Sequence, residues 1–199
     1  MTSYVIIIIV SLILSAFFSG MEIAYVSANK IHIEIEKKQE DFIARILTKI
    51  TAKPSKFIAT MLIGNNIALV IYGFFMGDLL VNWFQSMLPT NSGTLNYLLT
   101  DLNLLSQTVI STIIILITAE FLPKVFFQIY SNSLLKILAL PAYIFYVLFS
   151  LISDFVIWIS DMVLKHFFKT DGDQVQLAFT KVELGNYITE QMESVDVHD

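Results

Sequence analysis

The sequence predicts an all-α membrane protein with three transmembrane helices and a belt of juxtamembrane helices on the cytoplasmic side. Three observations predict it. Hydrophobic residues make up 56% of the 199-residue chain and charged residues only 15%, with a mean hydropathy of +0.71, whereas soluble domains carry about 25% charge. Apolar stretches recur that reach or exceed the roughly 20 residues needed to cross a hydrocarbon core. The connections between them differ sharply in charge. Residues 29–56 hold seven of the 12 Lys and Arg residues, and residues 86–101 hold none.

The first apolar region runs from about 4 to 26, the second from 57 to 88 and the third from 102 to 130. By the positive-inside rule the basic connection after the first span is cytoplasmic and the connection after the second is outside. The N-terminus is then outside, and the third span runs inward toward Lys124 and Lys136. The N-terminus has no basic n-region and no small-residue cleavage site after the apolar run, so the first region is read as a retained span. Residues 31–50 read as helical and interfacial. Phe42, Ile43, Ile46, Leu47 and Ile50 recur at helical spacing opposite Lys and Glu, although Ile31, Ile33 and Ile35 alternate.

The fourth apolar region, 134–168, is broken by Pro141, Asp154 and Asp161. A proline interrupts the helical ladder and carboxylates are costly in lipid. This region is therefore read as a belt at the cytoplasmic leaflet in preference to a fourth span. Asp154 and Asp161, seven residues apart, form a polar stripe. The tail is polar and acidic, with Thr180–Lys181–Val182–Glu183 as a capping box that opens a helix. The tail reads as the start of a cytosolic region, 169–199, in a longer native chain.

Composition excludes several classes. There is no cysteine, hence no disulfide framework or thiolate metal site. The net charge is −5 and no basic patch interleaved with aromatics points to nucleic acid. No nucleophile or catalytic constellation points to an enzyme.

Polar groups inside spans are expensive unless satisfied, and so mark function. Span one carries Ser19, Gly20 and Glu22; span two carries Gly64, Asn65 and Asn66; span three carries Thr118, Glu120, Pro123 and Lys124. Counting about 1.5 Å per residue from the cytoplasmic boundaries places Ser19, Asn65 and Glu120 all about 14–16 Å deep, near the middle of a roughly 30 Å core. A hydroxyl, an amide oxygen and a carboxylate make a hard-oxygen site. That donor set suits Mg2+, Ca2+ or Na+ and argues against zinc or copper. Pro123 cannot donate to the carbonyl of Ala119, which frees an oxygen beside Glu120. Gly20 and Gly64 allow unwinding or close helix approach.

Simpler readings stand beside these. Ser19 and Gly20 also fit a packing notch. Glu22 fits snorkelling or pairing with Lys124. Asn65 and Asn66 fit interhelical hydrogen bonding, and Glu120 fits an i,i+4 pair with Lys124. His32 and His166 read as interfacial, and Trp83 and Trp158 as interface anchors.

Three linked motifs, Ser15-Ala-Phe-Phe-Ser-Gly-Met-Glu-Ile-Ala24, Gly64-Asn65 and Glu120-Phe-Leu-Pro-Lys124, resemble the transmembrane domain of the CNNM/CorC (CorB) magnesium transporter family, once described as hemolysin-like. The resemblance runs from about residue 1 to 195. It implies three transmembrane helices per protomer, a homodimer in a bacterial inner membrane, and a cytoplasmic C-terminus. It implies an inward-facing cavity for one dehydrated Mg2+, held by Ser19, Asn65 and Glu120 with backbone carbonyls near Gly20 and Gly64. Pro123 matches the family's helix-distorting proline. Glu22, Asn66, Ala119, Pro123 and Lys124 are then supporting residues.

The resemblance further implies that 169–199 begins an acidic helical bundle leading to a pair of cytosolic CBS modules that bind ATP. It allows inward Na+ movement to drive Mg2+ export. Two departures matter. Ala119 stands where many members have Gly, and Leu69 where many have a further Asn, with Asn66 the substitute at hand. The rival reading is a membrane-anchored regulator or scaffold. In that reading the polar site is structural and the cytosolic modules sense nucleotide.

Overall fold

The computed structural model of the protein describes residues 2–39, 41–88 and 92–168. The expected cytosolic region at 169–199, with its capping box, lies outside the described residues. All described elements are helical: α1 (Thr2–Ser27), α2 (Lys30–Lys37), α3 (Phe42–Thr51), α4 (Pro54–Met87), α5 (Gly93–Thr100), α6 (Asn103–Ile115), a π-helical turn (Leu116–Phe121), α7 (Leu122–Ile129), α8 (Ser131–Ile137), α9 (Ala139–Leu148) and α10 (Ser150–Phe168). Three helical stretches are long and apolar enough to cross a membrane: Thr2–Ser27, Pro54–Met87 and Asn103–Ile129. The described residues divide into two compact units, one from 2–26 with 61–131 and the other from 27–60 with the stretch from 132 to 168.

The first unit contains the spans. In lipid every backbone polar group must be satisfied within the segment, so even the β-branched run Ile6–Ile9 is helical in α1. The apolar core of this unit packs Ile8 of α1 against Tyr72, Met76, Leu80 and Phe84 of α4. Tyr72 is fully buried, and its hydroxyl donates to the carbonyl of Ser111 at 3.3 Å. Beyond α4 the chain is helical again from Gly93. Ser92 caps α5 by accepting from the Leu95 N–H, and the Ser106 hydroxyl returns to the Leu98 carbonyl at 2.9 Å.

The second unit is the belt. The stretch read as one helical region is two helices, because two side chains cap new starts. Asn29 Oδ1 accepts from the backbone of Ile31 and His32, and Asp41 Oδ1 accepts from Ala44 at 2.6 Å. Of the alternating isoleucines only Ile33 is buried, while Ile35 is exposed. In α3, Ala44, Ile46, Leu47 and Ile50 are buried, while Phe42 is 64% exposed. α3 packs on α2 and α9.

The fourth apolar region is broken twice. Pro141 is the third residue of α9, where a missing N–H is tolerated. Leu138 is the joint there, and the axes of α8 and α9 bend by 64°. α8 and α9 meet the length and composition test for a span only if that bent pair is taken as one. α10 carries Asp154 and Asp161 and does not meet it.

Polar ties hold the belt together. The Asn29 N–H donates to Asn132 Oδ1 at 2.8 Å, and Lys136 pairs with Glu36 at 2.5 Å. The Thr60 and Ser153 hydroxyls, both fully buried, lie 2.8 Å apart. Lys56, at the start of α4, is the most loaded tie. Its Nζ donates to Asp154 Oδ2 and Ser150 Oγ, both at 2.7 Å, and lies 5.5 Å above the Tyr146 ring. Asp154 is therefore an ion-pair partner and not only part of a polar stripe.

The two ends of this pair are unequally exposed, with the Lys56 side chain at 11% and Asp154 at 52%. Breaking the pair from the Asp side leaves a charge that water reaches poorly, and breaking it from the Lys side does not. Asp154→Ala is expected to cost about 2 kcal/mol, and Lys56→Met about 1 kcal/mol or less. Thermal unfolding of the two variants in detergent checks the order. A larger loss for Lys56→Met would contradict it.

Candidate ion site

α1 presents three hydroxyls at four-residue spacing on its buried face. Ser11, Ser15 and Ser19 are 3%, 0% and 1% exposed. Ser15 Oγ donates to Asn65 Oδ1 of α4 at 2.6 Å. Ser19 Oγ, one turn further along, is buried and has no hydrogen-bond partner. A buried hydroxyl without a partner costs about 1–3 kcal/mol, so its presence calls for a ligand that completes it.

The glycines serve packing at this site. A Cβ on Gly20 would come within 2.5 Å of the Phe127 ring, and one on Gly64 within 2.6 Å of the Phe18 ring. Each glycine is thus the floor on which an aromatic ring of a neighbouring helix sits. These contacts fix the register. Gly64 and Asn65 lie level with Phe18 and Ser15, and Phe127 lies level with Gly20. Glu120 lies seven residues before Phe127, about 10 Å along the third span from that contact.

The third span reaches Glu120 through the π-helical turn, in which the Leu122 N–H bonds to the Ile117 carbonyl five residues back. Pro123 follows at once. In an α ladder the carbonyl that Pro123 cannot serve is that of Ala119; continued in the π register it is that of Thr118. Either way a carbonyl one or two residues before Glu120 lacks a ladder donor from position 123. Such one-residue bulges concentrate at functional sites. The Thr118 hydroxyl donates to the Ile114 carbonyl at 2.6 Å, a back-bond that favours bending. A groove of about 570 Å3 opens here, lined by Ile13, Ala16 and Phe17 of α1 and by Thr118, Leu122, Pro123, Phe126 and Phe127.

The remaining candidates are placed as follows. Glu120 is a third exposed and faces Lys124 Nζ at 4.0 Å. Glu22 is half-buried in α1. Asn66 is exposed and donates to the Leu62 carbonyl of its own helix at 3.0 Å. Ala119 is fully buried. The structure thus joins Asn65 to Ser15, leaves Ser19 open, and sets Glu120 against Lys124. Among the described residues no group of three or more His, Cys, Asp or Glu side chains could hold a metal. A site here would instead draw on hydroxyl, amide and carbonyl oxygens around one carboxylate. The residue that sequence reasoning missed is Ser15, whose four-residue spacing from Ser19 was the available signal.

Pro123→Ala restores an N–H and lets the π turn relax toward α geometry. Stability is expected to stay the same or rise by about 1 kcal/mol, while cation transport falls at least about tenfold. Thermal unfolding and liposome flux, measured on the same preparation, separate the two effects. Unchanged flux would show that the turn is only structural.

Three membrane-spanning helices, a polar mid-span cluster and a helical belt define an all-α membrane domain. The chain belongs to the CNNM family, the cyclin M transmembrane N-terminal domain, which matches residues 6–198. Over 117 residues it is 32% identical to the UPF0053 inner membrane protein YfjD of Escherichia coli (strain K12). That match covers 59% of this chain and 24% of the relative, so the matched part is about a quarter of that protein's length. Membership places the chain in a family of membrane metal-ion transport.

Proposed function

We propose that this domain carries Mg2+ as its substrate, exporting it from the cytoplasm through a homodimer, with inward Na+ movement as the driving force. The N-terminus lies outside and the C-terminus in the cytoplasm of a bacterial inner membrane. The following region leads to a pair of CBS modules that bind ATP. The ion is held by Ser19, Asn65 and Glu120, with backbone carbonyls near Gly20 and Gly64 and beside Pro123.

The observation that carries the reading is the buried, partnerless hydroxyl of Ser19, on the same face of α1 that engages Asn65. A hard cation is the ligand that satisfies a hydroxyl, an amide oxygen and a carboxylate together. Mg2+ sheds its water reluctantly, so a preformed oxygen set around a carboxylate is what an all-protein site requires. The Ser15–Asn65 bond and the Glu120–Lys124 pair also favour a second reading, in which the polar groups hold the helices together for a scaffold or regulator.

Full-length protein in liposomes separates the two. Mg2+ should move down an imposed gradient faster than through empty vesicles, and a Na+ gradient should accelerate it. Flux equal to that of empty vesicles would leave the scaffold reading.

A further inference from the structure

We propose that Ser15 is a positioning residue of the ion site, holding Asn65 so that its amide oxygen, and not its NH2 group, faces α1. The inference rests on the Mg2+ reading above and assigns a part to a residue that reading does not use.

The two ends of an asparagine amide are nearly equal in size, so the group turns over at little steric cost. For a cation the two ends are opposites, since the oxygen ligates and the NH2 repels. A hydroxyl can pair with either end, so the direction of its bond decides whether position 65 attracts or rejects an ion. Ser15 has 0% exposure, so no water competes for its hydroxyl, and it donates to Asn65 Oδ1 at 2.6 Å. An amide oxygen has two lone pairs. One takes the Ser15 hydrogen and the other stays available to a cation.

A second observation points to a ligand on this same face. Ser19, one turn along α1, is 1% exposed and has no partner. The Gly64–Phe18 contact sets Asn65 level with this stretch of α1. Ser15 thus lies where Asn65 approaches α1, and its hydrogen bond sets the polarity of that approach.

The test is Mg2+-dependent protection of the full-length protein against thermal unfolding in detergent, titrated with magnesium chloride alone. Ser15→Ala is expected to raise the Mg2+ concentration for half-protection about tenfold, the loss expected for one buried hydrogen bond. Ser15→Thr keeps the hydroxyl and should stay within about threefold of the unmodified protein. If Ser15→Ala does not fold, Ser15→Cys, a poor donor of similar size, takes its place.

Asn65→Asp carries oxygen on both branches, so orientation no longer matters. Adding Ser15→Ala to Asn65→Asp should then shift half-protection by less than about threefold. Ser15→Ala with unchanged half-protection, Ser15→Thr as weak as Ser15→Ala, or a full tenfold shift in the Asn65→Asp background would each overturn the inference. If the unmodified protein shows no Mg2+-dependent protection, the Mg2+ reading falls and this inference with it. If it is protected and Ser15→Ala changes nothing, this inference falls alone.

Discussion

Glu120→Gln should abolish Mg2+ flux in liposomes, lowering it by about 100-fold or more, while the protein remains folded. The substitution keeps the shape of the side chain and removes its charge. Among the oxygen donors proposed for the ion, Glu120 supplies the formal negative charge that offsets the cost of stripping water from a divalent cation. The folded state should lose little. The partner of Glu120 is Lys124 at 4.0 Å, and the two side chains are 34% and 43% exposed, a geometry worth under about 1 kcal/mol. Glu120→Gln should therefore unfold at nearly the temperature of the unmodified protein. A large fall in unfolding temperature with flux intact would instead mark the Glu120–Lys124 pair as structural and remove the carboxylate from the ion site.

Gly64→Ala should destabilise the protein by about 1–3 kcal/mol, the usual penalty for overfilling a packed core. The new Cβ would meet the Phe18 ring at 2.6 Å, and Phe18 is only 2% exposed, so the ring has nowhere to go. The neighbouring Ser15–Asn65 bond should be disturbed as well, lowering flux. Gly73 in the same helix is the internal control. A Cβ there meets nothing within 4 Å, and Gly73→Ala should stabilise α4 by up to about 1 kcal/mol through helix propensity. Thermal unfolding of both variants decides the matter. Equal losses at the two positions would show that the Phe18 contact does not govern the site.

The spans were legible because lipid imposes length and apolarity together. The predicted 4–26 and the observed Thr2–Ser27 differ by only a few residues. The belt was legible for a similar reason, since Pro141, Asp154 and Asp161 fit no straight span. Its internal division was harder. The caps at Asn29 and Asp41 lie within one polar stretch whose hydrophobic spacing alone suggests continuity. The ion-site candidates were legible one by one, as polar residues at similar depth, but their pairing was not. Depth counting treats each helix as an independent ruler. The rings of Phe18 and Phe127 set the register between helices, and an aromatic side chain's docking partner is not written in its own sequence neighbourhood. For the same reason Gly64 was left open between local unwinding, close helix approach and a carbonyl ligand, and the structure makes it a close-packed seat for Phe18. Pro123 announced a disturbance in the third span. The π turn before it was not readable, because five-residue hydrogen bonding leaves no composition signature.

That turn has a consequence for how the third span should be compared across relatives. A π turn holds one residue more than the α path it replaces, so α6 and α7 are out of phase by about 100°. No single helical wheel describes residues 103–129. Drawn as one cylinder, the segment puts Lys124 and Phe127 on the wrong side relative to Gln107 and Ser111. Two wheels, cut at Leu116 and rejoined at Leu122, give the faces the helix really has. A relative with one residue fewer in this stretch would bring the wheels back into step and turn its α7 away from α1. Single-residue gaps at this point in an alignment are therefore changes of facing, not noise.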